Sequence, residues 1–297
     1  MTIPLFPEFK DVVLTMKDDI KQFLSRYQME ASEYTFTNIF AFKETYDFKV
    51  SILNDTLLIL KSKTPISFFC PVGASPDLES LFDYLKREVS EPCLERVPES
   101  FINKYLKDDE KYLALPVRDH FDYLHDVKEM IELKGRRYHD KKNKVNKFRN
   151  EYKYEYQTLT AELVEECIEF EDYWCEVKDC EKYYGLKRER CAILTMLKNF
   201  DYLNLTGGVI RIAGKIAALT FAEEYLPDTL VIHVEKANPD IPGLYQVINQ
   251  EFLMHEAGNC KFVNREQDLG IQGLRNAKIS YHPVKFIKKY RVTEKIK

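Results

Sequence analysis

The sequence predicts an α+β fold made of two repeated modules, each a mixed, mostly antiparallel twisted sheet flanked by helices. Three observations predict it. A β-hairpin recurs at a matching place in each half, a proline-bearing helix start follows each hairpin, and a strand opened by cysteine follows each helix.

The first hairpin is FKVSILNDTLLIL, Phe48 to Leu60, with Asn54-Asp55 at the turn; the second is GVIRIAGKIAALTF, Gly208 to Phe221, turning at Ala213-Gly214. Asn, Asp and Gly accept the backbone that a two-residue hairpin turn demands. An apolar strand follows each, ISFFCPV from Ile66 and TLVIHV from Thr229. Then come SPDL at Ser75 and NPDI at Asn238. Ser or Asn can cap the orphan amides, Pro suits a first turn, and Asp complements the dipole. The helices they announce, DLESLFDYLKREV and PGLYQVINQEFLMHEA, are amphipathic at helical spacing. Each leads to a short strand, PCLERV at Cys93 or NCKFVNRE at Cys260, and then to another helix. The offset between matched features drifts from 159 (Asp55 to Gly214) through 163 (Asp77 to Asp240) to 167 (Cys93 to Cys260), as in a duplicated module.

Hairpin, central strand, capped helix, further strand and second helix is the order of the GNAT acyltransferase fold, in which two neighbouring strands splay and the substrate carbonyl sits in the gap. The expected architecture is two tandem GNAT-like modules, residues 1–127 and 128–297, with YLALPVRDHFDYLHD as the closing strand pair of the first. The first module lacks a counterpart to the polar cluster described below and is expected to be structural.

Composition narrows the class. At 297 residues and 45% hydrophobic content the chain can bury a large core. A net charge of −4 argues against coating nucleic acid, DNA included, but allows a local basic patch. MTIPLFPEFKDVV lacks the basic start and apolar run of a signal peptide. The longest charge-free stretch, Thr64 to Pro76, is short of the roughly 20 residues that span a bilayer. A cytoplasmic protein without a transmembrane segment is expected, peripheral lipid contact and oligomeric state being left open. Seven cysteines in no regular framework fit a reducing compartment. Cys175, Cys180 and Cys191 lack zinc spacing and are expected to be core rather than metal ligands.

Just past the seam lies ELKGRRYHDKKNKVNKFRNEY, with eight Lys or Arg and one acid between Lys134 and Arg149. Tyr138, Val145, Phe148 and Tyr152 form one apolar stripe on a helix expected over 134–149, leaving the remainder cationic. Arg136, Arg137, His139, Lys142, Asn143 and Asn146 are donors suited to phosphate and sugar. The competing account is a solvated helix matched by the carboxylates of the segment Leu163 to Glu176.

The stretch from Lys261 to Pro283 carries most of the remaining chemistry. A short apolar strand ends in Asn264, Arg265, Glu266, Gln267 and Asp268, and Gly270 and Gly273 bracket entry to a helix expected to carry Tyr281 and His282 to Pro283. Open α/β sheets place ligands beyond the carboxyl ends of their strands. The bland alternative is a solvated loop.

ELKGRRYHDKKNKVNKF, GGVIRIAGKIAALTF, VIHVEKANPDIPGLYQVINQEF and NREQDLGIQGLRNAKISYHP together resemble a bacterial family of unknown function grouped with the C-terminal domain of phosphatidylglycerol lysyltransferases. The resemblance covers nearly the whole chain. It implies a tandem GNAT protein related in fold to lysyltransferases and Fem-type aminoacyltransferases, which pass an aminoacyl group from aminoacyl-tRNA to a lipid hydroxyl or peptide amine. A tRNA acceptor end, or another phosphorylated ligand, would then be the partner of the basic helix. The chain departs from those enzymes in lacking a multi-helix membrane portion. It also lacks the Q/R-x-x-G-x-G/A loop that holds acetyl-CoA: NPDIPGLYQ stands there, where Gly243, Leu244 and Tyr245 would form the cofactor-binding helix start.

Acyl transfer needs a proton acceptor, oxyanion donors and an acid for the leaving group. In GNAT folds a tyrosine on the last helix often supplies the acid, and Tyr281 looks like that tyrosine. His233 and Glu235 on the strand before the capped helix, with Glu266 and Asp268 after the next strand, are the candidate bases. Asn264, Arg265 and His282 are candidate substrate contacts. Each has a plain structural alternative: Tyr281 packing, His233 satisfied in the core, Glu266 and Asp268 paired with Arg265 and Arg275. No resident cofactor is expected; aminoacyl-tRNA or acyl-CoA would be the co-substrate. Three readings stay open: aminoacyl-tRNA-dependent transferase, acyl-CoA-dependent N-acyltransferase, and non-catalytic binding protein.

Overall fold

The computed structural model describes residues 2–295, so 1, 296 and 297 of the expected module ranges lie outside the described residues. Two seven-stranded sheets form. The first holds β1 (Lys10–Asp11), β2 (Phe48–Leu53), β3 (Thr56–Lys61), β4 (Ser67–Phe69), β5 (Leu94–Pro98), β6 (Tyr112–Pro116) and β14 (Lys289–Glu294), in the order β1-β2-β3-β4-β5-β14-β6. The second holds β7 (Asp122–Asp126), β8 (Tyr154–Thr158), β9 (Thr206–Ile212), β10 (Lys215–Leu226), β11 (Thr229–Ala237), β12 (Phe262–Asn264) and β13 (Lys285–Ile287), in the order β13-β7-β12-β11-β10-β9-β8.

Both sheets are mixed. The hairpins run antiparallel, while β4 with β5 and β11 with β12 are parallel. A parallel pair needs a crossover, and the helices Leu78–Glu88 and Leu244–Glu256 supply it. The chain is therefore two GNAT-like modules in tandem.

Turn chemistry sets both hairpins. Asn54 and Asp55 take φ of 49° and 57° and close Leu53 on Thr56, while Ala213 and Gly214, at 50° and 79°, close Ile212 on Lys215. The helix starts fall later than the sequence suggests. Asp77, not Ser75, caps the first helix by accepting from the Ser80 amide, and Gly243 stands at the start of the second. Asn238 instead accepts from the Asp240 amide in a local turn.

The compact units also differ from residues 1–127 and 128–297. The chain up to Asp122, with Gln267–Arg275 and the segment from Phe286, forms the first unit; Tyr123–Glu266 and Asn276–Lys285 form the second. The reason lies in strand pairing. β6 stays in the first sheet, but β7 lies between β12 and β13 in the second, and β14 takes the matching place between β5 and β6. The stretch read as one closing pair is divided between two sheets.

The basic helix runs His139–Glu151 after a tight turn at Arg136–Tyr138, so it starts later than 134. Its stripe behaves as expected: Tyr138, Val145 and Phe148 are buried in the second core and Tyr152 is partly buried against it. Burying each such side chain contributes about 1.5–3 kcal/mol, enough to fix which side of the helix faces water. The acidic helix, Val164–Val177, is engaged elsewhere, with Glu166 on Arg211 and Asp172 on Arg190.

The cysteines are not all reduced core thiols. Cys175 and Cys180 form a disulfide, and Cys191 is exposed. Among the described residues no group of three His, Cys, Asp or Glu side chains is arranged to hold a metal. No helix among them is long and apolar enough to cross a membrane.

Candidate functional site

In the second unit β11 runs to Ala237 but pairs with β12 only at Thr229, Leu230 and Val231. Past Val231 the two segments form no ladder, and side chains span the gap. His233 and Glu235 stand on this stretch, and the pairing with β10 passes from Val234 to Ile232, leaving His233 as the extra residue of a bulge. His233 Nδ1 lies 3.1 Å from Glu266 Oε1, and its Nε2 lies 3.1 Å from Glu223 Oε1. Glu235 Oε1 accepts from Arg265 Nη2 at 2.8 Å, and Oε2 accepts from Asn249 Nδ2 at 2.7 Å.

These bonds settle what His233 can do. Burial pulls its pKa down, but the hydrogen bonds to Glu223 and Glu266 outweigh that and raise it to about 9. The ring is an imidazolium at neutral pH with both nitrogens committed, which removes it as a general base. It works as a charged clamp across the gap. Glu266 is held by that clamp, not by Arg265, and its backbone (φ 54°) is steadied by Asn264 Oδ1 accepting from its amide at 2.8 Å. Asn264 itself is buried and donates to the Tyr225 hydroxyl at 3.1 Å.

Tyr281 lies past the last helix, which ends at Ile279, not within it. Only 4% of the residue is exposed. The Arg265 guanidinium carbon lies 4.9 Å and Lys141 Nζ 4.5 Å from its ring centroid. Burial, partly offset by Arg265, pushes the phenol well above the usual tyrosine range, so it stays protonated. Lys141 is pulled down to about 8 by burial and by Lys144 and Arg265, yet remains mostly cationic at pH 7.

The cationic helix and the gap therefore meet at one aromatic ring. Tyr138 donates its hydroxyl to the Tyr281 carbonyl at 3.2 Å, and His282 Nε2 lies 3.2 Å from the Arg137 carbonyl. Arg136, Arg137, His139, Lys142, Asn143 and Asn146 are exposed, with Arg137 bonded to Glu129 and Asn143 to His139.

Two sets of expected site residues lie elsewhere. Asp268 belongs to the first unit, fully buried and clasped by Arg275 and Arg118. It is a structural knot, as the plainer alternative had it for Arg275. Gly243 (φ 88°) packs against the basic helix so closely that an added Cβ would stand 2.7 Å from the Lys144 carbonyl. Leu244 is fully buried, and the Tyr245 hydroxyl accepts from Trp174. The amides of Leu244, Gln246 and Val247 already donate to the carbonyls of Ile241 and Gly243. That helix start is spent on packing and offers no cradle for a pyrophosphate.

Sequence reasoning missed Lys141, Asn249 and Glu223. Asn249 carried a signal, a short amide directly after the buried Val247 and Ile248 of the helix Leu244–Glu256, where it is 1% exposed. Lys141 carried none, being one lysine in a run of them.

The family model described as phosphatidylglycerol lysyltransferase, C-terminal, matches residues 24–293. A conserved protein of unknown function from Bacteroides thetaiotaomicron is 33% identical over 97% of this chain and 99% of its own, with a TM-score of 0.90. The C-terminal domain of a putative lysylphosphatidylglycerol synthetase from Agrobacterium fabrum is 14% identical over 94% of this chain and 90% of its own, TM-score 0.65. L-PGS from Bacillus licheniformis is 13% identical over 100% and 95%, TM-score 0.65. At those last two identities the likeness is one of fold. No curated protein matches the chain.

Proposed function

The chain belongs to the phosphatidylglycerol lysyltransferase C-terminal family, and we propose that it is an aminoacyltransferase drawing its acyl group from aminoacyl-tRNA. One observation carries this: the exposed cationic helix and the unpaired strand gap contact the same ring, Lys141 from the helix and Arg265 from the gap. A phosphate chain lying on the helix ends where an acyl group would sit.

Arg265 Nη1 is buried without a hydrogen-bond partner and is suited to polarise the ester carbonyl and hold its oxyanion. An amine or hydroxyl acceptor adds to that carbonyl and gives its proton to Glu235, whose oxygens keep lone pairs beyond the two bonds they accept. As the ester breaks, the proton passes to the departing ribose oxygen, so Glu235 ends as it began. Tyr281, buried and protonated, packs and orients rather than titrates.

The test is transfer of labelled amino acid from a mixture of charged tRNAs to phosphatidylglycerol vesicles or to peptide amines. Protein-dependent loss of label from tRNA is the expected result. No loss, together with protein-dependent consumption of acetyl-CoA by an amine, would favour the acyl-CoA reading. The packed start of the helix Leu244–Glu256 argues against that reading.

A further inference from the structure

The charges around the acyl seat do not match a lysyl group. Glu235 is the carboxylate facing this end of the gap, and both its oxygens already accept bonds, from Arg265 and from Asn249. Against that one carboxylate stand two cations on the Tyr281 ring, Arg265 at 4.9 Å and Lys141 at 4.5 Å. The Lys141 ammonium is set over the Tyr281 ring, which does not neutralise its charge. The other acids of the gap, Glu223 and Glu266, are drawn onto the His233 imidazolium.

Two buried polar atoms here lack partners, Arg265 Nη1 and Asn249 Oδ1. One is a donor and one an acceptor. The donor fits the acyl carbonyl, and the acceptor fits the α-amine of an aminoacyl ester. A second ammonium, at the end of a lysyl side chain, finds Glu235 already bonded to Arg265 and Asn249 and meets Lys141 and Arg265. Buried charge without a partner is strongly disfavoured.

Resting on the aminoacyl-tRNA reading above, we propose that this site takes an aminoacyl group whose side chain carries no positive charge, and that Lys141 is the residue excluding a lysyl group. Specificity here comes from repulsion as much as from fit. Lys141 lies within the basic helix and its side chain is half-buried, and Lys141→Gln, which keeps most of its length, separates the loss of charge from the loss of packing on Tyr281.

The experiment is filter binding of the purified protein to tRNA charged with alanine, glutamate or lysine, each compared with its own uncharged form at fixed salt. Charging with alanine or glutamate should tighten binding about tenfold or more, and charging with lysine should not. Lys141→Glu should let lysine charging tighten binding at least as well as alanine charging, with Lys141→Gln falling between. If lysine charging tightens binding most in the natural protein, or the order is unmoved in Lys141→Glu, the proposal is overturned while the aminoacyl reading stands. If charging changes nothing for any amino acid while uncharged tRNA still binds, both are overturned.

Discussion

In the first unit the segments after β4 and within β5 are joined by one neutral side chain. Tyr34 is 2% exposed; its hydroxyl accepts from the Cys70 amide at 2.8 Å and donates to the Arg96 carbonyl at 3.0 Å. In the second unit the corresponding region beyond β11 and β12 is spanned by His233 with Glu266 and by Arg265 with Glu235. A phenol bonded on both sides satisfies two backbone groups and closes the space. Charged side chains hold the strands apart; an arginine nitrogen is left without a hydrogen bond in both units, Arg265 Nη1 here and Arg96 Nη1 in the first, where it faces Glu33 at 3.1 Å. One scaffold thus accommodates a neutral bridge and a charged one, and the proposed function places the reaction at the charged one. The difference lies in what bridges the strands, not in the strands.

The first unit also buries charge, but for a different purpose. Lys289 is fully buried and bonds Asp122 at 2.6 Å and Gln267 at 3.0 Å, with Glu33 closing the group. It stands at the start of β14, so the cluster fixes the strand that the chain's C-terminal end contributes to the first sheet.

The comparison can be broken most severely at Arg265. Arg265→Met should cut transfer by about 10²–10³-fold, the usual loss when an oxyanion donor is removed, whereas Tyr34→Phe should leave the rate within about twofold. Next in size are stability effects. His233→Ala removes the cation beside buried Glu223, 4% exposed, and Lys289→Met removes the cation beside Asp122, which keeps its bonds from Ser32; each should cost about 3–5 kcal/mol in denaturant unfolding, but only the first should also reduce transfer in the surviving folded protein. Tyr34→Phe leaves a buried amide and carbonyl without that bridge and should cost about 1–3 kcal/mol.

The pH dependence sharpens the same contrast. His233 has a pKa raised from 6.5 to about 9, so its stabilisation is fully present below pH 6.5 and is lost as pH rises through 9. The melting temperature should fall across that window, and a His233→Gln variant should show a flatter profile. The smallest effect is expected at the rim of the basic helix. Replacing Arg136, Arg137 and Lys142 together with Ala should weaken tRNA binding and lower the salt slope by roughly 2–3; an unchanged slope would remove the helix from the interface.

What the sequence made legible follows from its physics. Asn54-Asp55 and Ala213-Gly214 are local turn chemistry, so both hairpins were readable, and the period of Tyr138, Val145 and Phe148 gave the buried side of the basic helix. Glu235 and Arg265 were legible as polar groups on or after strands, and Tyr281 as a residue of the last helix, which it in fact follows. That Glu235 would meet Arg265, and Glu266 meet His233, was not, because both partnerships cross the gap between strands. The exchanged places of β7 and β14 were hidden for a similar reason: alternation marks a strand but does not say which sheet completes its hydrogen bonds. Asp268 stands two residues from Glu266, yet the chain passes from one unit to the other between them. Lys141 differs from Lys142 only in the direction its helical position gives it.

The most direct test of where the aminoacyl group binds is photo-crosslinking with tRNA whose 3′-aminoacyl group carries a photoreactive side chain, followed by peptide mapping. Adducts confined to the second unit, on the segments around Ile232–Glu235, Asn249 and Arg265, are the predicted result. Adducts around Tyr34 and Cys70 in the first unit would contradict the account, as would labelling spread without preference over both.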